Sequence, residues 1–106
     1  MALPDKTVKV IGPTTISAQN TFTDPIFVPA GAGIEFTITG TAGSTVTAQR
    51  SGGPDNPIST GFVDVNDFTA YKTYADVEPT GGWWRGGVKT GNFSTNAIIT
   101  LRAGAN

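Results

Sequence analysis

Four carboxylates, Asp64, Asp67, Asp76 and Glu78, stand in or beside two expected loops. Two carboxyl groups held several ångströms apart across a bond are what glycoside hydrolysis requires, but the spacing places no two of these four opposite one another. The chain has no histidine and no cysteine. That excludes a Ser-His-Asp triad, a thiolate nucleophile and a zinc site of the usual ligands. The four carboxylates therefore read as solvated loop or turn groups. Asp64, Asn66 and Asp67 also offer hard oxygen ligands close together, the donor type calcium takes, but without the EF-hand pattern. No catalytic residue, metal or cofactor is assigned, and the expectation is a protein that is not an enzyme.

The pairs Gly81-Gly82 and Gly86-Gly87 are not phosphate cradles, because a P-loop needs GxxxxGK(S/T) between a strand and a helix. Glycine inside an expected strand over residues 83–89 marks a bulge, or a place where another backbone or a large ring comes close. The interface candidates are aromatic: Trp83, Trp84, Phe93, Tyr71 and Tyr74. Successive strand residues point to opposite faces, so one indole is expected in the core and the other outside. For the outward ring three readings stand: cover by the loop over 75–80, contact between subunits, or a platform for a sugar.

The elements that must position these residues are strands. Threonine occurs 17 times and valine 8, against three leucine and methionine residues together. Side chains branched at Cβ are stiff and pack well on a pleated surface. Glycine (14) and proline (7) punctuate the chain at the intervals closely spaced turns require. The expected fold is all-β, a small antiparallel β-sandwich or jelly-roll-like barrel of about eight short strands. One domain over 1–106 is expected, with 1–5 as a flexible arm.

In detail, Val8 and Val10 are expected on one face of a strand over 6–11 closed by Gly12-Pro13, with a second short strand over 14–19. Pro25, between 21–24 and 26–28, marks an edge strand or bend. Ile34, Phe36 and Ile38 alternate with polar residues, and the strand over 34–39 is expected to form a hairpin with 45–50. Arg50 falls on the inward parity there, at a strand end where its stem covers apolar surface and its charge reaches water. Residues 51–60 and 75–82 read as loops. Strands over 62–65 and 68–74 flank a turn at Asn66-Asp67. A second hairpin is expected between 83–89 and 97–103, turning at 90–95, with Ala97, Ile99, Leu101 and Ala103 inward.

A net charge of −1, with no basic patch, predicts no nucleic-acid partner. No apolar run approaches the roughly 20 residues of a membrane span, and no secretory signal is expected from Met1-Ala2-Leu3-Pro4-Asp5. Asn92-Phe93-Ser94 fits the glycosylation pattern but is expected to be empty without such a signal.

Two blocks carry a resemblance. Residues Gly82-Trp83-Trp84-Arg85-Gly86-Gly87-Val88-Lys89-Thr90-Gly91-Asn92-Phe93-Ser94-Thr95, followed by Ala97-Ile98-Ile99-Thr100-Leu101-Arg102, resemble the C-terminal part of small virion structural proteins of tailed bacteriophages. The family pattern there is an aromatic, Arg, a small residue, Gly-Val-Lys-Thr-Gly, Asp or Asn, an aromatic, then Ser or Thr. The middle block, Phe36-Thr37-Ile38-Thr39-Gly40-Thr41 leading to Thr45-Val46-Thr47-Ala48-Gln49-Arg50-Ser51, is similar to the family's Thr-Val-Thr-Leu-Gln-Arg-Ser strand. After Ser51 the chain departs from the family, which often continues with Asp-Gly-Gly and a Trp-containing strand. The resemblance implies a head- or tail-associated structural role. With small size and no catalytic groups, it favours a capsid decoration (cement) protein on the phage head surface, assembled in the host cytoplasm. The implied partners are the major capsid protein and further copies of the chain, a trimer first and a dimer second. A tail, neck or baseplate component and a carbohydrate-binding module are the alternatives.

Overall fold

The computed structural model describes residues 7–39, 43–52, 61–70 and 72–104. Among them are nine strands: β1 (Thr7–Ile16), β2 (Thr21–Phe22), β3 (Ile26–Val28), β4 (Gly33–Thr39), β5 (Val46–Ser51), β6 (Val63–Phe68), β7 (Lys72–Val77), β8 (Gly82–Val88) and β9 (Ala97–Gly104). They form two antiparallel sheets. Sheet A has the order β1-β9-β4-β7; sheet B has β2-β8-β5-β6, with β3 also on the β8 edge that β2 occupies. Pro25 lies between β2 and β3 and cannot donate to a ladder, so the expected edge with a break is what forms.

The core lies between the sheets and follows the expected alternation. Ile34, Phe36 and Ile38 of β4 are buried, as are Ala97, Ile99, Leu101 and Ala103 of β9 and Val46 and Ala48 of β5. Each large aliphatic or aromatic side chain fully enclosed contributes roughly 1.5–3 kcal/mol. Glycines admit the closest contacts. A Cβ on Gly86 would lie 2.9 Å from the Phe36 ring, and one on Gly87 would lie 2.6 Å from the Phe22 Cα. In β8 a large ring and a neighbouring backbone do come close, as glycine within a strand suggests.

The two expected hairpins do not form. β4 pairs with β7 and β9, and β5 pairs with β6 and β8, so β4 and β5 belong to different sheets. β8 and β9 are likewise split between sheets B and A. Alternation fixes which side of a strand faces the core but not its neighbour. Distant partners match these strands along their whole length: Ile34, Phe36 and Ile38 lie beside Ala103, Leu101 and Ile99. The short connections 40–45 and 89–96 therefore cross from one sheet to the other.

Four local expectations also change, the first being that β7 runs from Lys72 to Val77 where a strand over 68–74 and a loop from 75 were expected. β1 continues through a cis Gly12-Pro13 peptide to Ile16 instead of ending there. Register shifts on either side of Lys9–Ile11 turn Val10 outward, 51% exposed, while Ile11 packs on the core. The Val8 side chain and the arm 1–5 lie outside the description. Finally, Asn66 and Asp67 sit within β6, paired with Ala48 and Thr47, because a bulge at Val65 absorbs the irregularity a turn was expected to supply.

Candidate functional site

The densest group of functional side chains lies on the outer face of sheet B. Arg85 projects there from β8, with its guanidinium carbon 4.1 Å from the Phe22 ring centre and 4.2 Å from that of Phe62. Phe22 reaches this position because its ring and backbone lie over Gly87. The Arg85 Nε–H donates to Gln49 Oε1 at 2.8 Å, and Gln49 Nε2 donates to Asp64 Oδ1 at 2.9 Å. Lys89 Nζ donates to Asp64 Oδ2 at 2.6 Å. A continuous line of ring, cation, amide, carboxylate and ammonium thus crosses β2, β8, β5 and β6. Thr47 Oγ1 donates to Asp67 Oδ1 at 2.7 Å beside it.

The electrostatics follow from these contacts. The hydrogen bond from Lys89, then that from Gln49, holds the Asp64 carboxyl below its ordinary range, and Asp64 in turn raises Lys89. Burial between the rings lowers the Arg85 pKa from its ordinary value, though a guanidinium in this setting remains charged. Sandwiched cations of this kind contribute about 0.5–2 kcal/mol per ring contact. The face presents fixed charges and aromatic edges, each already engaged within the chain.

At one end of the molecule Glu78 is fully buried, not the solvated loop carboxylate that its surroundings suggest. Arg50 Nε and Nη2 donate to Oε1 and Oε2 at 2.5 and 2.6 Å. The Trp84 indole Nε1–H donates to Oε1 at 2.9 Å and the Thr80 backbone N–H to Oε2 at 2.9 Å. Gly82 makes the space, since a Cβ there would lie 3.1 Å from Glu78 Oε1 and 2.8 Å from the Ser51 carbonyl oxygen. Burial opposes ionisation, but the Arg50, Thr80 and Trp84 donors outweigh it and bring the Glu78 pKa down to about 2. Arg50 on the inward parity therefore spans core and carboxylate; its charge is spent on Glu78, not on bulk water.

The aromatic candidates are dispersed. Trp84, 2% exposed, packs edge-on against Phe36 with ring centres 6.2 Å apart and belongs to the core; it offers no surface anchor. Trp83 is the outward indole, half-buried against the Phe27 ring at 5.4 Å. Its Nε1 is enclosed and has no hydrogen-bond partner among the described residues. Tyr74 stands at the inner side of β7, its ring 6.1 Å from Phe36 and 5.1 Å from Phe68. Its hydroxyl donates to Asp76 Oδ2 at 2.8 Å, and burial followed by that carboxylate raises its pKa to about 12. Phe93 packs against the core from the loop 89–96. Tyr71 lies outside the described residues.

Asp64 and Asp67 are engaged as above, and Asn66 Oδ1 accepts the Asp67 backbone N–H at 2.9 Å. Among the described residues no three Asp or Glu side chains gather as a metal site would require. Arg85 and Gln49 are the residues that sequence reasoning missed, and Glu78 was singled out but read as a solvated loop group. The outward parity of Arg85 was a usable signal, but its partners come from three other strands and need the topology. Comparison with known families, curated proteins and solved structures finds no match to this chain.

Proposed function

We propose that this is a non-enzymatic structural protein of a tailed-phage virion, a capsid decoration protein that binds the major capsid protein on the assembled head and stabilises it. The observation that carries the reading is the strand order. With β2 and β3 taken as one interrupted strand, the orders β1-β9-β4-β7 and β2/β3-β8-β5-β6 put successive strands in opposite sheets except at β5–β6, which supports reading the two-sheet fold as a jelly roll. Jelly rolls recur in viral capsid and lectin domains. The two blocks that resemble phage virion proteins favour the first of these uses. They fall on β4–β5 and β8–β9, the strands that form the centre of both sheets.

Charge supports the same reading. A net charge of −1 lets many copies crowd one shell without strong mutual repulsion. Binding only the assembled state stabilises it by mass action. The outward Trp83 indole and the Phe22–Arg85–Phe62 stack supply the aromatic and arginine groups that interface cores favour. The test is particle occupancy. Imaging of full heads and tailless heads is expected to find this chain across the head lattice in both. Density only at the tail vertex or along the tail makes it a tail, neck or baseplate component. Binding to a glycan array without particle association makes it a carbohydrate module.

A further inference from the structure

The four sheet edges are not equivalent. β1 carries Pro13 and two register shifts, and the β2/β3 edge is broken at Pro25. β6 is bulged at Val65. Such features blunt an edge against pairing with another chain. β7 has none of them: its six residues pair with β4 in unbroken register from Val77 opposite Gly33 to Lys72 opposite Ile38. Among the described residues, nothing pairs with its other side. One residue of β7, Val77, is also an exposed apolar group. Val63 and Val77, 65% and 59% exposed, are the most exposed large hydrophobic residues, and Val65 joins them on β6. The Phe68–Tyr74 ring contact joins the end of β6 to β7.

We propose that β7 pairs antiparallel with β7 of a second copy, joining the two A sheets into one continuous sheet across a two-fold axis. The register follows from symmetry. Residues directly opposite in an antiparallel pair project to the same face, and a two-fold perpendicular to the sheet preserves that face. A residue can therefore lie opposite only itself or one an even number of positions away. Two allowed registers, centred on Tyr74 and on Ala75, each keep five of the six residues paired, and only the Tyr74-centred one brings opposite charges together. It sets Thr73 opposite Ala75 and Lys72 opposite Asp76, twice by symmetry. Lys72 is exposed and has no ion pair among the described residues. Asp76 is exposed and already oriented by the Tyr74 hydroxyl and the Val77 backbone N–H. The seam is thus charge-complementary to itself. The inference is independent of the virion reading, since it concerns the isolated chain, and it selects a dimer over a trimer.

Sedimentation of the purified chain at high micromolar concentration is expected to show a dimer that weakens with added salt. Lys72→Asp places like charges opposite each other at both ends of the seam, and is expected to weaken dimerisation at least about tenfold. Because Lys72 has no ion pair among the described residues, the variant's circular dichroism and unfolding midpoint should stay near wild type. The charge-reversed double variant Lys72→Asp with Asp76→Lys is expected to restore the dimer. Register has a second readout, because the chain has no cysteine. A mixture of Thr73→Cys and Ala75→Cys proteins is expected to form a disulfide-linked dimer under mild oxidation, which neither yields alone. A monomer at every concentration, a trimer, a dimer indifferent to Lys72→Asp, or equal cross-linking of the single variants would each overturn the proposal.

Discussion

Replacing Glu78 with glutamine isolates the buried charge from the shape it fills. Wild-type Glu78 is fully enclosed and receives two hydrogen bonds from Arg50 and one each from Trp84 and the Thr80 backbone. Glutamine keeps one acceptor oxygen, but turns an NH₂ group toward donors that cannot accept from it. Removing one partner of a buried ion pair costs about 3–5 kcal/mol. The pKa gives a separate figure. The carboxyl falls from 4.5 in the unfolded chain to about 2 in the folded one, and at about 1.4 kcal/mol per pH unit that gap is worth about 3 kcal/mol.

The direction of the pH dependence is set by which state holds the proton. Between pH 4.5 and about 2 the unfolded chain binds more protons at this site, so stability rises with pH there. The contribution is fully present above pH 4.5 and is lost as pH falls through 2. Urea unfolding of wild type and Glu78→Gln should therefore differ by about 3 kcal/mol at pH 7 and by less than about 1 kcal/mol at pH 2. Asp64, also held low by Lys89 and Gln49, shifts both proteins alike and cancels in the difference. A gap that stayed constant from pH 7 to pH 2 would refute the electrostatic account, and so would a variant indistinguishable from wild type at neutral pH.

Two further substitutions test the packing. Ser44 Oγ donates to the Thr95 carbonyl at 2.6 Å and accepts the Ser94 and Thr95 backbone N–H groups at 2.8 and 2.9 Å; Ser44→Ala should cost about 1–3 kcal/mol and speed hydrogen exchange at those two amides. Gly87→Ala would drive a methyl into the Thr21 carbonyl oxygen and to within 2.6 Å of the Phe22 Cα. It should destabilise by about 1–3 kcal/mol and displace β2, read as loss of the Phe22–Arg85 contact by NMR.

What the sequence made legible was facing. Ile34, Phe36 and Ile38, and the alternate residues from Ala97 to Ala103, occupy the core as their period demands. The break at Pro25 and the close approaches at Gly86 and Gly87 were equally readable, because proline and glycine act through local covalent geometry. Pairing was not legible. The six-residue connection after Thr39 fits a hairpin as well as a crossing to the opposite sheet, and the difference is decided by β9, about sixty residues onward in the chain. The same distance hid the candidate surface: Arg85 meets Phe22, Gln49 and Phe62 only once β8 lies between β2 and β5. Glu78 looked like a loop carboxylate because nothing within five residues of it signals Arg50 or Trp84.

Strands that share a facing pattern can be neighbours in several orders, so alternation alone leaves the fold underdetermined. Polar groups that are satisfied in only one order remove that freedom, and two sets of them sit at opposite ends of this molecule. At one end Ser44, leaving the 40–45 connection, closes on Ser94 and Thr95, while the Thr45 N–H donates to the Asn92 carbonyl at 3.0 Å. Both crossings between sheets are tied together there. At the other end Glu78 gathers Arg50 from β5 and Trp84 from β8, and its backbone exchanges hydrogen bonds with Gly31 and Ala32 ahead of β4. An arrangement that separated either set would bury a hydroxyl or a carboxylate without its donors, at about 1–3 kcal/mol for each group and more for the charged one. Against a net stability of about 5–15 kcal/mol for a domain of this size, that penalty is large enough to choose between strand orders whose apolar burial is nearly the same. The apolar pattern makes a two-sheet fold, and the end contacts select which one.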